Sequence, residues 1–424
     1  MEAQASFDAA PLIKLSANRM YFVDQHGKPV FWLGTTQWEL FRGYSIDDAR
    51  TIIEKSKATG FAFVQVKLLG GGDGTGTNID GERPWIDNNP LTPNEAYFKH
   101  VDAVVEIAQK HGLVISMTVF HRKYKGITTS TARAWGKWIG ARYRDVPGIV
   151  WAMTPVAEAE SIPLLRELVA GLKENDRGGQ HLITAKPDPS PYSSSFMRGE
   201  SLLTFNSIQT HRQIELIYSM VTKDYQRDPS IPVLMAEGAY EQGPEYGFDV
   251  TPLWIRRQAY YSFLAGGHHA YGHNDSWRIR PTWKQALDAP GARQMGVLKK
   301  IFLERQEWWD LVPDQTVLAS GSITHGRILT LAARHNTGKW IMVYWGGKKT
   351  GSICQRVTAM LAGKCSISVQ MDKIKTAANI DAFWIDPRTG EQTFTGRFAN
   401  TGVQRFWLPL GWEDAVLILE ASKN

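Results

Sequence analysis

Residues 231–241 read IPVLMAEGAYE, a short apolar run that ends abruptly in an ionisable residue, Glu237. The run up to Ala236 carries no polar side chain, as expected of a strand that is buried on both faces. Such strands are typical of parallel sheets covered by helices. A charged residue directly after such a strand predicts the carboxyl end of a parallel strand, where barrel enzymes place their functional groups.

Similar apolar runs recur upstream and downstream of this stretch. We identify eight of them, at residues 30–35, 61–69, 113–120, 149–153, 181–185, 202–208, 233–236 and 268–271. Helix-period segments lie between or after most of them, at residues 46–59, 94–111, 131–144, 162–174, 212–225, 251–265 and 292–307. Alternating strands and helices pair in parallel, and eight such units predict a closed (β/α)₈ barrel, or TIM barrel, in the α/β class. The weakest unit is 187–200, which lacks a clear helical pattern.

The pattern differs at both ends of the chain. Residues 13–33 alternate around a turn at 24–27 and predict a β-hairpin. After residue 309, short strands are predicted at 317–319, 328–333, 340–344, 367–371, 379–385, 390–394 and 415–420. Strands of this length with turns between them are typical of an antiparallel β-sandwich. We therefore predict a catalytic barrel with an N-terminal hairpin at 1–309 and an accessory β-sandwich at 310–424.

Composition excludes several classes of protein. The 424 residues carry a net charge of +6, but lysines and arginines are scattered, so no nucleic-acid partner is expected. A weak preference for acidic polysaccharide stays open. No apolar run is long enough to span a bilayer, so no membrane partner is expected. The two cysteines, Cys354 and Cys365, are too few for a disulfide framework or a zinc cage.

The first residues bear on localisation. Ala3-Gln4-Ala5 resembles the remnant of a signal-peptide cleavage site, although no signal peptide itself is present. We therefore predict a mature secreted or periplasmic form, with a cytoplasmic location as the alternative. The sequence indicates nothing about oligomeric state.

The residues that follow the predicted strands are mostly polar or aromatic, and a barrel brings these positions to one face. Flat aromatic side chains stack on sugar rings, while amide, imidazole and acidic groups offer hydrogen bonds to hydroxyls. The 16 tryptophans agree with such a ligand, although large barrels also bury aromatic residues. We predict a carbohydrate substrate, bound by Gln37, Trp38, Lys67, His121, Gln209, His211, Tyr240, Glu241, His273, Asp275 and Trp277.

Hydrolysis of a glycosidic bond needs one carboxyl group that protonates the leaving oxygen and another that attacks the anomeric carbon or activates water. We predict Glu237 as the attacking group and Glu158, after the fourth strand, as the acid/base. Glu160, Asp188 and Asp275 are the alternatives for the acid/base. Structural roles are the competing interpretation, since Glu237 could pair with a basic residue and acids such as Glu158 are favoured near helix N-termini.

Other motifs point away from bound cofactors. The glycine-rich run 70–76 matches no phosphate-binding pattern and opens no helix. His268 and His269 are neighbours on one predicted strand and point to opposite faces, so these two and His273 make a poor metal site. No nucleophile elbow of the G-x-S-x-G type occurs. We expect neither a metal nor a cofactor.

Four segments together resemble a known family. They are FWLGTTQW at 31–38, AEGAYE at 236–241, AYGHN at 270–274 and WIDPRTG at 384–390. Their content and order resemble the apiosidase-like glycoside hydrolases, family 140 and its relatives, which carry a C-terminal sandwich of the collagen-binding type. The resemblance spans nearly the whole chain. It implies a retaining mechanism in which the strand-seven glutamate, here Glu237, is the nucleophile.

The sequence departs from that family at the acid/base. The family's acid follows strand four in a segment like Trp-x-x-Gly-Gly-Asp, whereas residues 151–156 read WAMTPV and end in Val156. Either Glu158 or Glu160 has taken the role, or another acid serves, or the chain is a glycan-binding pseudoenzyme. A metal-dependent barrel hydrolase is a further reading of the sequence.

Overall fold

The computed structural model describes residues 9–156, 159–176, 180–189, 193–197, 201–347, 366–375 and 377–422. Several sequence predictions fall elsewhere. The predicted acid/base Glu158, the two cysteines Cys354 and Cys365, and the segment 3–5 lie outside the described residues.

Three short strands precede the barrel and form an antiparallel sheet. They are β1 (Lys14–Leu15), β2 (Phe22–Val23) and β3 (Pro29–Val30). The predicted hairpin is therefore a three-stranded meander. Phe22 at its centre is fully buried and its ring lies 4.7 Å from that of Trp32, so this sheet closes the amino-terminal end of the barrel core.

The barrel is formed by eight parallel strands within the described residues. They are β4 (Leu33–Thr36), β5 (Phe63–Lys67), β6 (Val114–Phe120), β7 (Ile149–Val156), β8 (Ile183–Pro187), β9 (Asn206–His211), β10 (Val233–Gly238) and β11 (His268–Gly272). Apart from β8 and β9, strands that are consecutive in the chain pair with each other, and β11 pairs with β4. This arrangement confirms the predicted fold class.

The seam between β8 and β9 is closed differently from the other seven. The backbone N–H of Thr204 donates to the carbonyl of Ile183 (2.8 Å), and the hydroxyl of Thr184 donates to the carbonyl of Phe205 (3.0 Å). The hydroxyls of Thr184 and Ser207 also meet at 2.8 Å. Hydroxyl side chains thus complete hydrogen bonding where a regular ladder is missing.

Helices surround the barrel. They are α1 (Ile46–Thr59), α2 (Glu95–Lys110), α3 (Thr129–Tyr143), α4 (Ile162–Glu174), α5 (Ser193–Phe196), α6 (Ile217–Tyr225), α7 (Pro252–Leu264), α8 (Asn274–Trp277), α9 (Trp283–Ala286) and α10 (Pro290–Leu303). Single 3₁₀ turns occur at Ile86–Asn88, Ala159–Ser161, Ile214–Leu216, Pro244–Tyr246, Trp308–Asp310, Gln315–Val317 and Met371–Lys373. None of the described helices is long and apolar enough to cross a membrane.

Local signals explain why the helix limits were readable in the sequence. Helix α1 occupies the predicted span because Ser45 caps its first turn and Gly60, at φ +101°, ends it. The weak unit after β8 contains only the single turn α5. Helix α6 begins five residues later than predicted because a 3₁₀ turn precedes it.

The C-terminal part is built from two antiparallel sheets. Its strands are β12 (Leu311–Pro313), β13 (Leu318–Ser320), β14 (Thr330–His335), β15 (Trp340–Trp345), β16 (Ser366–Gln370), β17 (Asn379–Ile385), β18 (Gln392–Ala399), β19 (Val403–Trp407) and β20 (Ala415–Ala421). The sheet orders are β12-β14-β15-β20-β17-β18 and β13-β16-β19. Strands β12 and β19 were not predicted from the sequence, because β12 is three residues long and only Phe406 of β19 is buried.

The sandwich packs against α7, which is buried along ten consecutive residues because the barrel covers one side and the sandwich the other. Tyr260 of α7 stacks on Tyr344 of β15 with ring centroids 4.2 Å apart. Arg256, 1 % exposed, donates to Asp414 (2.6 and 2.8 Å), and the hydroxyl of Tyr344 donates to the same carboxylate (2.7 Å).

We expect Asp414→Ala to lower the free energy of unfolding by about 3–5 kcal/mol, since it leaves the buried guanidinium of Arg256 without its carboxylate. Asp381→Ala, which breaks the exposed pair with Arg397, is the matched control and should cost less than about 1 kcal/mol. Thermal and urea unfolding of both variants measure the difference. Equal losses would show that Asp414 does not anchor the two parts of the chain.

Candidate active site

A cavity of about 640 Å³ opens at the carboxyl ends of the barrel strands. Its wall contains residues from the ends of β5, β8, β9 and β10 and from the loops that follow the strands. The lining comprises Trp38, Lys67, His121, Thr154, Pro155, Lys186, Asp188, Pro189, Gln209, Thr210, His211, Arg212, Gln213, Glu237, Tyr240, Glu245, Tyr246, Trp277 and Arg278. This volume suits a small polar ligand such as one or two sugar rings.

Glu237 is the next-to-last residue of β10, and its side chain is 14 % exposed. The pairing of β10 with β9 shifts register on both sides of Glu237, between Met235 and Gly238. Such irregularities re-aim side chains near functional sites. A Cβ at position 238 would lie 2.3 Å from the side-chain oxygen of Gln258, so a larger residue there would displace the Gln258 amide.

Gln258 of α7 fixes the backbone directly after this position. Its side-chain oxygen accepts from the N–H of Ala239 (2.7 Å), and its amide donates to the carbonyl of Ala239 (3.0 Å). On the other side of β10, the amide of Gln65 donates to the carbonyl of Ala236 (2.8 Å) and to Thr36 (2.9 Å). Buried side-chain hydrogen bonds therefore hold the backbone on both sides of Glu237.

Two basic side chains contact the carboxylate of Glu237. The ammonium group of Lys186, from β8, donates to Oε2, and Nε2 of His211, from β9, lies 3.3 Å from Oε1. Burial by itself would raise the pKa of Glu237, but Lys186 and His211 hold it well below its usual range. The carboxylate is therefore ionised at any pH near neutrality.

His211 occupies a costly backbone conformation. Its φ is +46°, in the left-handed region that non-glycine residues rarely adopt, and it ends strand β9. Its Nε2 also contacts the side-chain amide of Gln209. Strain of this kind costs on the order of 1–3 kcal/mol and persists where surrounding structure enforces it, often at functional sites. Here the strained residue carries an imidazole against Glu237.

Trp38 forms the centre of the cavity floor. Its indole N–H donates to the hydroxyl of Tyr240 (2.9 Å), which fixes the plane of the ring. The ammonium groups of Lys67 and Lys186 each lie 5.0 Å from the ring centroid, within the range of a cation–π contact. Two cations therefore share one aromatic ring beside Glu237.

The charged form of Lys67, the last residue of β5, is disfavoured relative to its neutral form. Burial lowers its pKa to about 8; the nearby charge of Lys186 contributes to the lowering, and that of Glu237 opposes it. His121 reports on the same surroundings, since burial and then Lys67, Lys123, Lys186 and Arg122 lower its pKa to about 3. Its imidazole is therefore neutral and can act only as a hydrogen-bonding group.

Most residues predicted to bind substrate line this cavity. They are Trp38, Lys67, His121, Gln209, His211, Tyr240 and Trp277. The other four do not belong to the lining. Their positions correct the sequence interpretation, which could not tell a side chain that faces the mouth from one that supports the loops behind it.

Gln37 and His273 are two of these supporting residues. Gln37 is 2 % exposed, and its amide donates to the hydroxyl of Ser276 (3.2 Å). His273 is 3 % exposed and caps α8, because its Nδ1 accepts from the N–H of Asp275 (3.1 Å). Both side chains form hydrogen bonds with residues that follow β11, so neither faces the cavity.

Glu241 and Asp275 are the other two. Glu241 is buried and accepts from the hydroxyl of Tyr271 (2.6 Å) and from the N–H of Gly291 (3.0 Å) in the first turn of α10. Burial raises the pKa of Glu241. Asp275 accepts from the hydroxyl of Thr282 (2.6 Å). The carboxyl of Glu241 therefore stabilises the start of α10, and that of Asp275 stabilises the segment after β11.

Of the alternative acids Asp188 and Glu160, only Asp188 lines the cavity. Asp188 lines the cavity and forms an ion pair with Arg122 (3.1 Å). Glu160 is exposed on the 3₁₀ turn Ala159–Ser161 and does not line the cavity. Val156, at the position of the family's acid, is fully buried and packs in the hydrophobic core. The side chain at position 156 therefore faces the core.

Ten lining residues were not predicted from the sequence. Those with charged or aromatic side chains are Lys186, Arg212, Glu245, Tyr246 and Arg278. A signal for Lys186 was present, because it is a charged residue at the end of an otherwise apolar strand, the same pattern that singled out Glu237. The others lie in loops, where no periodicity indicates which way a side chain points.

A metal site is not indicated at the cavity. His268 and His269 are buried in the barrel, and burial lowers the pKa of each to about 3, so both are neutral. Within the described residues, one cluster has the ligand types of a metal site. It comprises Glu307, Asp310 and His335. Lys339 donates to Glu307 there (2.5 Å), so an ammonium group already balances the acid.

Comparison with known families settles the lineage of this barrel. Residues 16–310 match the apiosidase-like catalytic domain. The chain belongs to the apiosidase-like family. Residues 312–420 match the domain described as "Putative collagen-binding domain of a collagenase". This apiosidase-like membership confirms the predicted family and the prediction that the protein is a glycosidase.

Solved structures agree with this apiosidase-like assignment. One described as "Glycoside hydrolase" is 26 % identical, with a TM-score of 0.86 over 98 % of this chain and 99 % of that chain. A glycoside hydrolase of family 5 from Bacteroides vulgatus is 24 % identical, with a TM-score of 0.84 over 96 % and 93 % of the two chains, and supports the fold alone. No curated protein matches the chain.

We expect Lys67→Met to raise stability by about 1–3 kcal/mol at pH 7, because folding forces the ammonium of Lys67 into surroundings that lower its pKa from 10.5 to about 8. Between these two values the folded state holds fewer protons than the unfolded state, so stability of the parent rises with pH. The gain from Lys67→Met should therefore shrink as pH rises from about 8 to 10.5.

Thermal unfolding across this pH range measures the effect. Lys186→Met is the matched control, since it leaves the buried carboxylate of Glu237 without its ammonium partner and should destabilise the protein at pH 7. A Lys67→Met variant less stable than the parent at pH 7 would contradict the prediction.

Proposed function

We propose that this glycosidase is a retaining enzyme that cleaves glycosidic bonds in plant or microbial polysaccharide or oligosaccharide, with Glu237 as its nucleophile. The observation that supports this most directly is the carboxylate of Glu237, ionised and oriented at the end of β10, in the wall of a sugar-sized cavity. An attacking carboxylate must be deprotonated and aimed, and Glu237 is both.

The reaction follows from this placement in two steps. A carboxylate oxygen of Glu237 attacks the anomeric carbon as the bond to the leaving oxygen breaks, and an acid protonates that oxygen. Water then attacks the same carbon, gives its proton to the conjugate base of the acid, and releases Glu237. The two inversions together retain the anomeric configuration. The contact from Lys186 must loosen as Glu237 becomes neutral in the ester.

Glu158 is the proposed acid/base. It lies two positions beyond the end of β7 in the sequence, and Thr154 and Pro155 of β7 line the cavity. Strand β7 stands three barrel positions from β10. Asp188 is the second candidate, because it lines the same cavity.

Substrate contacts are proposed for the aromatic and neutral polar lining. Trp38 and Trp277 offer flat faces for sugar rings, while His121 and Gln209 offer hydrogen bonds to hydroxyl groups. None of these side chains needs a metal or cofactor to bind a sugar.

A glycan-binding pseudoenzyme is the alternative, and one observation favours it. Val156 occupies the position of the family's acid and its side chain lies in the core. A site that retains the nucleophile position without a proton donor would bind glycans and turn over only substrates with very good leaving groups. Turnover of unactivated polysaccharide separates the two functions.

We expect Glu237→Gln to reduce turnover of nitrophenyl glycosides and plant polysaccharides at least about 10³-fold, because the amide cannot form the glycosyl ester. An activated 2-fluoro glycoside of the best sugar should label the parent, and peptide mass spectrometry should find the label on Glu237. Product analysis by NMR should show retention. Inversion, or a label on another residue, would overturn the assignment of Glu237.

We expect Glu158→Gln to slow cleavage of substrates with poor leaving groups by about 10²–10⁴-fold, the usual contribution of a positioned acid. Substrates with activated leaving groups need little protonation, so they should lose far less. The basic limb of the pH–rate profile should also disappear. Glu160→Gln, two residues away and exposed, is the control and should behave like the parent. The same loss in Asp188→Asn instead would move the role to Asp188.

A further inference from the structure

Each acid that the structure describes in the cavity wall has a cation at contact distance. Glu237 receives Lys186, Asp188 pairs with Arg122 (3.1 Å), and Glu245 pairs with Arg278 (3.1 Å). These pairs are internally balanced. The charge that the cavity offers to a ligand therefore depends on the lining cations left over after this pairing.

Lys67 is such a cation. Within the described residues its ammonium has no hydrogen bond or ion pair, and its one close contact is the ring of Trp38 at 5.0 Å. The two acids whose charges reach it, Glu237 and Glu39, are each held by another cation. For Glu39 that cation is Arg42, at 2.8 Å. A largely buried ammonium without an anion is costly, which suggests that an anion arrives from outside.

His121 lies at the same wall and lines the cavity. Burial, and then the charges of Lys67, Lys123, Lys186 and Arg122, lower the pKa of its imidazole. The wall formed by the ends of β5 and β6 therefore has a positive potential, whereas the opposite wall carries Glu237.

Arg212 adds to this field at the rim. It lines the cavity, is exposed, and has no ion pair among the residues that the structure describes. An exposed cation at a cavity mouth attracts anionic ligands from solution and speeds their entry. Lys67 at the floor and Arg212 at the rim thus favour the same class of ligand.

We propose that Lys67 binds the carboxylate of a uronic acid residue in the substrate, so that the cavity selects acidic over neutral sugars. This inference deepens the proposed function and rests on it only for the statement that a sugar occupies the cavity. The carboxylate would give Lys67 the anion that no described residue supplies. A Lys ammonium is a point charge, so the contact selects charge more than shape.

Binding of free sugars to the full-length parent protein tests the proposal without turnover, because a free monosaccharide has no glycosidic bond to cleave and Glu237 keeps Lys186 paired. Titration calorimetry compares glucuronate and galacturonate with glucose and galactose, and with the 6-sulfates of the two neutral sugars. We expect at least one uronate to bind about tenfold or more tighter than its neutral counterpart, with affinity falling as salt rises. Lys67→Met should remove this preference, so that the uronate and its neutral counterpart bind alike.

Lys123→Met is the matched control. Lys123 is an exposed lysine beside the same wall but outside the lining, so its screened charge should change uronate affinity less than about threefold. Lys67→Met is expected to be at least as stable as the parent, so thermal unfolding separates lost binding from lost folding.

Three outcomes would overturn the proposal: equal binding of acidic and neutral sugars, a preference that survives Lys67→Met, or tighter binding of the sulfate esters than of the uronates. Its failure is distinct from failure of the proposed function. A protein that hydrolyses only neutral glycosides through Glu237 would refute the role of Lys67 alone, and one that binds uronates without any turnover would refute hydrolysis alone.

Discussion

Closure of a parallel barrel is the constraint on which the site depends. When eight strands run in one direction and return to the first, their carboxyl ends must meet at one mouth. Lys67, Lys186, His211 and Glu237 lie at or beside the ends of four different strands and are separated by up to 170 residues in the chain. They become neighbours because of closure. The seam between β8 and β9, which Lys186 and His211 flank, is completed by threonine hydroxyls where regular backbone pairing is absent.

Charge is distributed unevenly around this mouth, and the imbalance has a cost. Glu237 is stabilised by Lys186, whereas Lys67 has no ion pair with any acid in the described part of the chain and its pKa is lowered to about 8. Stability alone would favour an apolar side chain at position 67. Groups that reduce stability and face a cavity are typical of functional sites, where ligand contacts replace the missing partner. The strained backbone of His211 belongs to the same pattern.

The second domain contributes to the site through one helix. Helix α7 presents Gln258 to the backbone after Glu237 and Arg256 to Asp414 in the sandwich. These residues are two positions apart and so lie on different sides of the helix. The sandwich thereby braces the helix that holds the end of β10. Residues first interpreted as substrate ligands, such as Glu241 at the start of α10, take part in the same bracing.

The sequence by itself determined the parts of this protein that arise from local periodicity. Apolar runs, helical spacing and caps such as Ser45 and Gly60 act within a few residues, so the barrel and its helices could be predicted almost unit by unit. The ends of strands were also visible, which is why Glu237 and most of the residues predicted to bind substrate do line the cavity. Exposed β19 and the three-residue β12 were missed because little of their surface is buried.

Tertiary structure alone decided which strand-end residues face each other and which turn away. The contact of Lys186 with Glu237 spans 51 positions and follows from closure of the barrel, which brings the ends of β8 and β10 together across β9, not from any local pattern. Glu241 and Asp275 carry the same carboxyl group as Glu237, yet they support loops because their backbones leave the strand end in other directions. The direction of a side chain in a loop depends on packing against distant segments, and no short stretch of sequence contains that information.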